Sequence, residues 1–327
     1  MPRCLSTLTD LPEEGYSSRA LRRLSDGRKL SPRLAFTRAD IPRIRAETAA
    51  RLSISGVQDK ISLRLERGRL RVTRSGGEYI LKPIPGTRLP ELHDDLPANE
   101  HLTMQLAEQV FDIRTAANGL VRLADGELAY LTRRFDRTRD GTRIPQEDFC
   151  QLMGRTLASH GRNYKYDSSY EELGDTLERI CAAYLVEVEE LVRRLAFCYA
   201  IGNGDAHLRN FSVQRQPTGD YLLSPAYDLV ASSIHLPNES RLALDLLADD
   251  ELPRGVATNG FETGRDFLDL AVRLGMNERR ATALLAKIQE SRKPVLELLE
   301  RFFLTEAAKD AYRALFLDRL KALAQET

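Results

Sequence analysis

The chain has 327 residues, and its 48 Lys and Arg are balanced by 48 Asp and Glu, so the formal net charge is zero. It is 42% hydrophobic and 29% charged, an ordinary globular composition, and it is long enough for one large domain or two. The charge balance argues against nucleic-acid binding driven by broad phosphate attraction, and no apolar run nears the roughly 18 residues of a membrane span.

Cys4, Cys150, Cys181 and Cys198 are widely spaced and form no C-x-x-C pair, which argues against a zinc site or a disulfide framework. The phosphate-binding P-loop signature, H-E-x-x-H and G-x-S-x-G are all absent from the sequence. The first residues carry no apolar core of a secretion signal. A soluble, cytoplasmic protein is the expectation.

In chain order, residues 1–51 are rich in Arg, Ser and Pro and read as an extension that packs on something else, with a short helix over Tyr16–Leu24. Ile61–Leu65 alternates apolar and polar residues, as a half-buried strand does. Glu66–Arg69 reads as a hairpin turn into Leu70–Val72, and Ser75-Gly76-Gly77 as a second turn into a strand over Tyr79–Lys82. Asn99-Glu100 opens a helix whose Leu102, Leu106 and Val110 form one apolar stripe. Gly119–Leu123 and Glu127–Thr132 flank Asp125-Gly126, a hairpin signal. After a joint near 132–137 the pattern turns helical, over Tyr170–Ala183, Val186–Ile201, 272–287 and 305–325, with a short β-like pair at Phe211–Val213 and Tyr221–Leu223. The expected fold is α+β and bilobal: a small β-rich lobe over 52–136 and a larger α-helical lobe over 137–327.

Gly202 to Asn210 (GNGDAHLRN) carries the chemistry. Asp205 and Asn210 have the D-x-x-x-x-N spacing of a kinase catalytic loop, in which Asp orients a hydroxyl and Asn holds a metal ion. The spacing alone also fits a Gly-Asp loop that closes a helix. Its setting, after an apolar helix and before an apolar strand, favours the kinase alternative. Asp228 ends the next hairpin, where a second metal carboxylate belongs, although it also suits a turn hydrogen bond. Lys82 ends a strand and Glu100 begins the following helix. Taken singly, these are a solvated strand end and a helix-dipole carboxylate; taken together, they form a phosphate clamp. Phosphoryl transfer needs these residue types because the transferred group spreads negative charge that Lys and Mg²⁺ stabilise.

Together with SISGVQDK (53–60), YILKP (79–83), Asn99-Glu100, RFDR (134–137), PQEDFC (145–150), GDAHLRNFS (204–212) and PAYDL (225–229), these residues resemble the HipA family of bacterial serine/threonine kinase toxins. The resemblance spans about residues 52–300. It implies a protein-kinase-like fold, ATP and Mg²⁺ as cofactors, Asp205 as catalytic base, Asn210 and Asp228 as metal ligands, and Lys82 on the ATP phosphates, with Glu100 facing it. Thr132–Phe135, including Arg133 and Phe135, matches the adenine-binding joint. His207 lies near the γ-phosphate or braces the loop. Ser55, Gly56, Val57 and Gln58 match the nucleotide-covering loop, and Ser53 and Ser55 are the candidate autophosphorylation sites. QED (146–148) and YKY (164–166) match segments near the protein-substrate side, with no role readable.

The front of the chain looks shorter than full-length HipA and is more similar to the short HipT-type toxins of three-part operons. That resemblance implies a HipB-like DNA-binding antitoxin and a HipS-like small protein as partners, DNA contact only through the antitoxin, no membrane, and an aminoacyl-tRNA synthetase as substrate. Two rivals stand beside this reading. One is a small-molecule kinase on a related bilobal fold. The other is a non-enzymatic nucleotide-binding partner of a repressor, against which the intact Lys82, Asp205, Asn210 and Asp228 set argues.

Overall fold

Alternating burial builds the first sheet. In the computed structural model, which describes residues 1–48, 59–138, 140–249 and 252–325, β1 (Ile61–Glu66) buries Ile61, Leu63 and Leu65 and turns the residues between them outward. Arg67 and Gly68, both with positive φ, make the two-residue turn into β2 (Arg69–Val72). β3 (Tyr79–Lys82), β4 (Asn118–Arg122) and β5 (Leu128–Arg133) complete an antiparallel sheet of order β2-β1-β3-β5-β4.

The N-terminal residues cover one face of this sheet. α1 (Ser18–Ser25) and α2 (Ile41–Thr48) belong to the segment that contributes Leu24, Leu30, Leu34, Ile41 and Ile44 to a core shared with Ile61, Leu63, Tyr79, Leu81 and Leu131. The hydroxyl of Tyr79 donates to the Leu24 carbonyl at 2.7 Å. The same segment reaches the other lobe, where Arg301 donates to the Leu8 carbonyl at 3.0 Å and pairs with Asp10.

α3 (Leu96–Gln109) starts three residues before the predicted Asn99, with Pro97 in its first turn where a missing N–H is harmless. It packs on β4 and β5. Its Leu102, Met104 and Leu106 nevertheless belong to the core of the helical lobe, so this helix joins the two halves.

The larger lobe begins with β6 (Gln146–Asp148), α4 (Phe149–Leu152), α5 (Leu157–His160), α6 (Tyr170–Ile180) and α7 (Tyr184–Ala200). The hairpin β7 (Ser212–Arg215) and β8 (Tyr221–Leu223) pairs with β6 to give a three-stranded sheet, order β6-β7-β8. α8 (Arg254–Asn259), α9 (Gly264–Arg273), α10 (Glu278–Glu290), α11 (Arg292–Glu300) and α12 (Glu306–Leu323) close the lobe. Among the described residues no helix is long and apolar enough to cross a membrane.

Three local expectations are corrected. The predicted helix 272–287 is broken: Gly275 sits at φ +79° and Asn277 caps α10 by accepting from the Arg279 and Arg280 amides, a stop and a start that the apolar period masks. The helix predicted to run to Ala183 ends at Ile180. The strand expected at Phe211–Val213 lies at Ser212–Arg215, and its partner β6 had no periodic signal because it is three half-buried polar residues.

If the N-terminal segment is part of the small-lobe core, Leu24→Ala destabilises the whole chain. The expected loss is about 2–5 kcal/mol, the usual result of a large-to-small change at a fully buried leucine, measured by urea unfolding.

Candidate active site between the two lobes

Lys82, at the inner end of β3, is 4% exposed. A lysine so buried requires partners, because an unpaired ammonium in a low-dielectric setting is costly. Glu100, one turn into α3, supplies one at 2.5 Å, and Asp228 supplies the other. The face of Tyr130 lies 5.5 Å from the ammonium. Desolvation lowers the Lys82 pKa, but Asp228 and Glu100 outweigh it, and the net direction is upward. Burial raises Glu100 above the ordinary carboxylate range even beside Lys82. Burial also pushes Asp228 up, yet Lys82 and then Lys60, 3.6 Å away, hold it well below that range.

Asp228 is aimed by the backbone around it. It sits at φ +54°, a left-handed conformation that Asp and Asn tolerate better than most residues. Just before it, Ala226 exchanges backbone hydrogen bonds with Arg114 and Ala116 at 2.7 and 2.9 Å. Just after it, fully buried Asn99 grips both backbone groups of Ala231, donating at 3.0 Å and accepting at 3.2 Å. The Asn99-Glu100 pair thus fixes both the Asp228 segment and Lys82. The sequence flagged Asn99 as the start of a helix and as part of the family-like Asn99-Glu100 pair, without this role.

The loop 201–210 leaves α7 at Gly202, which has φ +67° and packs so closely on α12 that a Cβ would lie 2.5 Å from Leu315. At Gly204 a Cβ would meet the Ser240 carbonyl at 2.3 Å. The Gly204 amide donates to Ser232 at 3.0 Å, and Ser232 in turn donates to Glu239. Asn210 Nδ2 donates to the Asp205 carbonyl at 3.0 Å, which turns Oδ1 of Asn210 away from that bond. Asp205 projects from the loop, about half exposed (45%), and accepts from the Tyr166 hydroxyl at 2.5 Å. His207 is buried at 7% exposure, with Nε2 3.9 Å from Asp205 Oδ1 and no hydrogen-bond partner on Nδ1. Burial lowers its pKa to about 4, so the ring is neutral at pH 7.

The structure therefore brings Lys82, Glu100 and Asp228 into contact and gathers Asp205, His207 and Asn210 on one loop. Phe135 stacks on Tyr227, next to Asp228, with centroids 5.4 Å apart. The Arg133 guanidinium points instead into the N-terminal segment, onto Asp26 and the Arg23 carbonyl. The Arg133 amide pairs with the Ala117 carbonyl, and the Phe135 carbonyl accepts from Gln214. The nucleotide-covering loop, with Ser53, Ser55, Gly56, Val57 and Gln58, lies outside the described residues. Tyr166 and Lys165 are the residues at Asp205 whose role the sequence left unread.

A family model described as the HipA-like C-terminal domain matches residues 52–295. The chain belongs to the HipA family. A Haemophilus influenzae protein named as a candidate kinase is 30% identical over 324 residues, covering 94% of this chain and 92% of the relative. The Shewanella oneidensis serine/threonine-protein kinase toxin HipA is 28% identical over 223 residues, 62% of this chain and 47% of that one. The solved structure of S. oneidensis HipA with HipB and operator DNA superimposes with a TM-score of 0.63 at 22% identity, over 88% of this chain and 71% of that one. The fold is that of HipA: an α+β kinase-like fold with a small β-rich lobe.

In this HipA-family chain the sign of the Asp228 shift gives a test. A carboxylate held below its ordinary pKa contributes stability that is full above about 4, the unfolded value. That contribution is lost as pH falls further. Asp228→Asn keeps the left-handed backbone and removes the charge. The wild type is expected to be more stable than this variant at pH 7, with the difference shrinking at pH 3, as read by urea midpoints.

Proposed function

We propose that this chain is an ATP- and Mg²⁺-dependent serine/threonine protein kinase that acts as the toxin of a bacterial toxin–antitoxin system. Membership of a kinase family supports phosphoryl transfer. The observation that carries the finer reading is the contact of Lys82 with both Glu100 and Asp228, beside a loop that presents Asp205 and Asn210.

The residues fit a magnesium ion. Among the described residues no cluster of three or more His, Cys, Asp or Glu side chains could cage a metal. Mg²⁺ does not require one, since it binds through one or two protein oxygens together with phosphate oxygens and water. The Asn210 side-chain oxygen and the Asp228 carboxylate are hard donors of that kind. When bound, the ion neutralises phosphate charge.

The chain's own residues would act as follows. Lys82 turns its ammonium from Asp228 to the ATP phosphates while Glu100 keeps it in place. Asp205 orients the substrate hydroxyl and takes its proton. The hydroxyl oxygen bonds to the γ-phosphorus, and the bond to the bridging oxygen breaks with its electron pair leaving on ADP. His207, neutral and with Nδ1 unpartnered, offers a polar contact and no charge. Residues 52–136 hold the nucleotide, with Phe135 at the joint, and 137–327 the protein substrate.

The Shewanella relative, solved with HipB and DNA, supports a HipB-like antitoxin as partner. We assign the chain to the short HipT-type, with a HipS-like small protein as second partner, an aminoacyl-tRNA synthetase as cytoplasmic substrate, and Ser53 or Ser55 as the autophosphorylation site. A phosphate there adds about −1.5 to −2 charges beside those of ATP and disfavours nucleotide binding.

Incubation with γ-labelled ATP and bacterial extract is expected to label a protein band that is lost in Asp205→Gln. A labelled small molecule, or no label, would refute the protein-kinase reading. Intact mass is expected to show one phosphate above the sequence mass on the active chain and none above the sequence mass on Asp205→Gln, and an active chain at its bare sequence mass would refute autophosphorylation.

A further inference from the structure

The segment between α5 and α6, together with the first residue of α6, lies over the candidate catalytic loop and holds it at four points. The Tyr164 hydroxyl accepts from Arg209 at 3.3 Å. The Lys165 carbonyl accepts from the Leu208 amide at 3.1 Å. The Tyr166 hydroxyl donates to Asp205 Oδ1 at 2.5 Å, and the Tyr170 hydroxyl donates to the Ala206 carbonyl at 3.0 Å. This grip fixes where the Lys165 side chain starts. Its ammonium lies 4.0 Å from Asp205 Oδ1 and 4.7 Å from the centroid of the Tyr166 ring, with the side chain 31% exposed.

A transferring phosphoryl group spreads charge over three oxygens, and pre-placed cations are the main way a protein stabilises it. The other cations near the site are differently engaged. Lys82 lies between Glu100 and Asp228. Lys60 faces Asp228. Arg209 turns to Asp148 at 3.5 Å and to Tyr164. His207, two residues beyond Asp205, is buried edge-on against the Tyr166 ring at 5.2 Å. Among the described residues, the lysine or arginine that faces Asp205 itself is Lys165.

We propose that Lys165 is a catalytic residue whose ammonium meets the phosphoryl group as it passes to the hydroxyl held by Asp205, with Tyr166 as the positioning residue for both side chains. The proposal rests on the kinase reading above. Lys165 makes and breaks no covalent bond. It offsets negative charge while the proton goes to Asp205 and the electron pair of the broken bond leaves on ADP. A carboxylate accepts at roughly four lone-pair sites. The Tyr166 hydrogen bond on Oδ1 therefore leaves Oδ2 for the substrate hydroxyl.

The test is single-turnover release of phosphoryl from γ-labelled ATP with Mg²⁺, scored as labelled protein plus free phosphate. Wild type, Lys165→Met, Lys165→Arg and Tyr166→Phe are compared, with ATP affinity measured by calorimetry on each. Lys165→Met is expected to slow the step about 100-fold, the usual loss for one pre-placed donor. Lys165→Arg is expected to stay within about tenfold of wild type, Tyr166→Phe to lose roughly tenfold, and ATP affinity to change less than about twofold throughout. Lys165→Gln replaces Lys165→Met if that variant unfolds on heating earlier than wild type. A loss under threefold in the neutral variant, an arginine variant as slow as the neutral one, or a loss that disappears at saturating ATP overturns the assignment. A wild type that releases no phosphoryl overturns the kinase reading, and this one with it.

Discussion

A buried ammonium between two carboxylates organises this molecule. Lys82 lies at the end of a central strand, too deep for water to stabilise its charge. Glu100 is just as deep. Three elements, β3, the α3 that soon follows it and the remote segment after β8, must come together for any of the three charges to be tolerable. That requirement fixes the small sheet relative to the helical lobe more tightly than apolar packing would, because a charge pair has a distance and a direction while an apolar contact has only an area.

α3 carries most of this constraint. Its flank packs on β4 and β5, its leucines enter the helical core, and its first turn supplies Asn99 and Glu100. Asn99 satisfies both backbone groups of Ala231 and also meets His235 and Thr103, so the segment that bears Asp228 is held by a buried amide whose hydrogen bonds are all made inside the protein. Positive φ at Asp228 is the local strain that this bracing supports. The N-terminal residues add a further tie, filling one face of the sheet and reaching Arg301 across the lobes.

The second half of the site is assembled differently. The loop 201–210 is shaped by glycines that allow α12 and Ser240 to approach its backbone, and by Asn203 and Ser232 accepting from its amides, with Glu239 accepting from Ser232 behind them. Its outer face is completed by tyrosines from the segment that leads into α6. These polar contacts set the rotamer of Asp205, whereas Lys82 is set by charge.

The sequence alone determined the strands whose burial alternates, the two-residue turn at Arg67-Gly68, the long apolar helices and the Lys, Glu, Asp, Asn, Asp order, because period, turn chemistry and spacing are local properties of a chain. It did not reveal the break at Gly275–Asn277, where two helices share one apolar period. Nor did it reveal β6, whose polar residues become a strand only by pairing with β7. Only the tertiary structure decided that the Arg133 guanidinium turns to Asp26, that Asn99 grips Ala231, and that Lys165 and Tyr166 stand at Asp205. Each of these is a contact between segments remote in sequence, and a side chain's partner across such a distance is set by how the lobes pack.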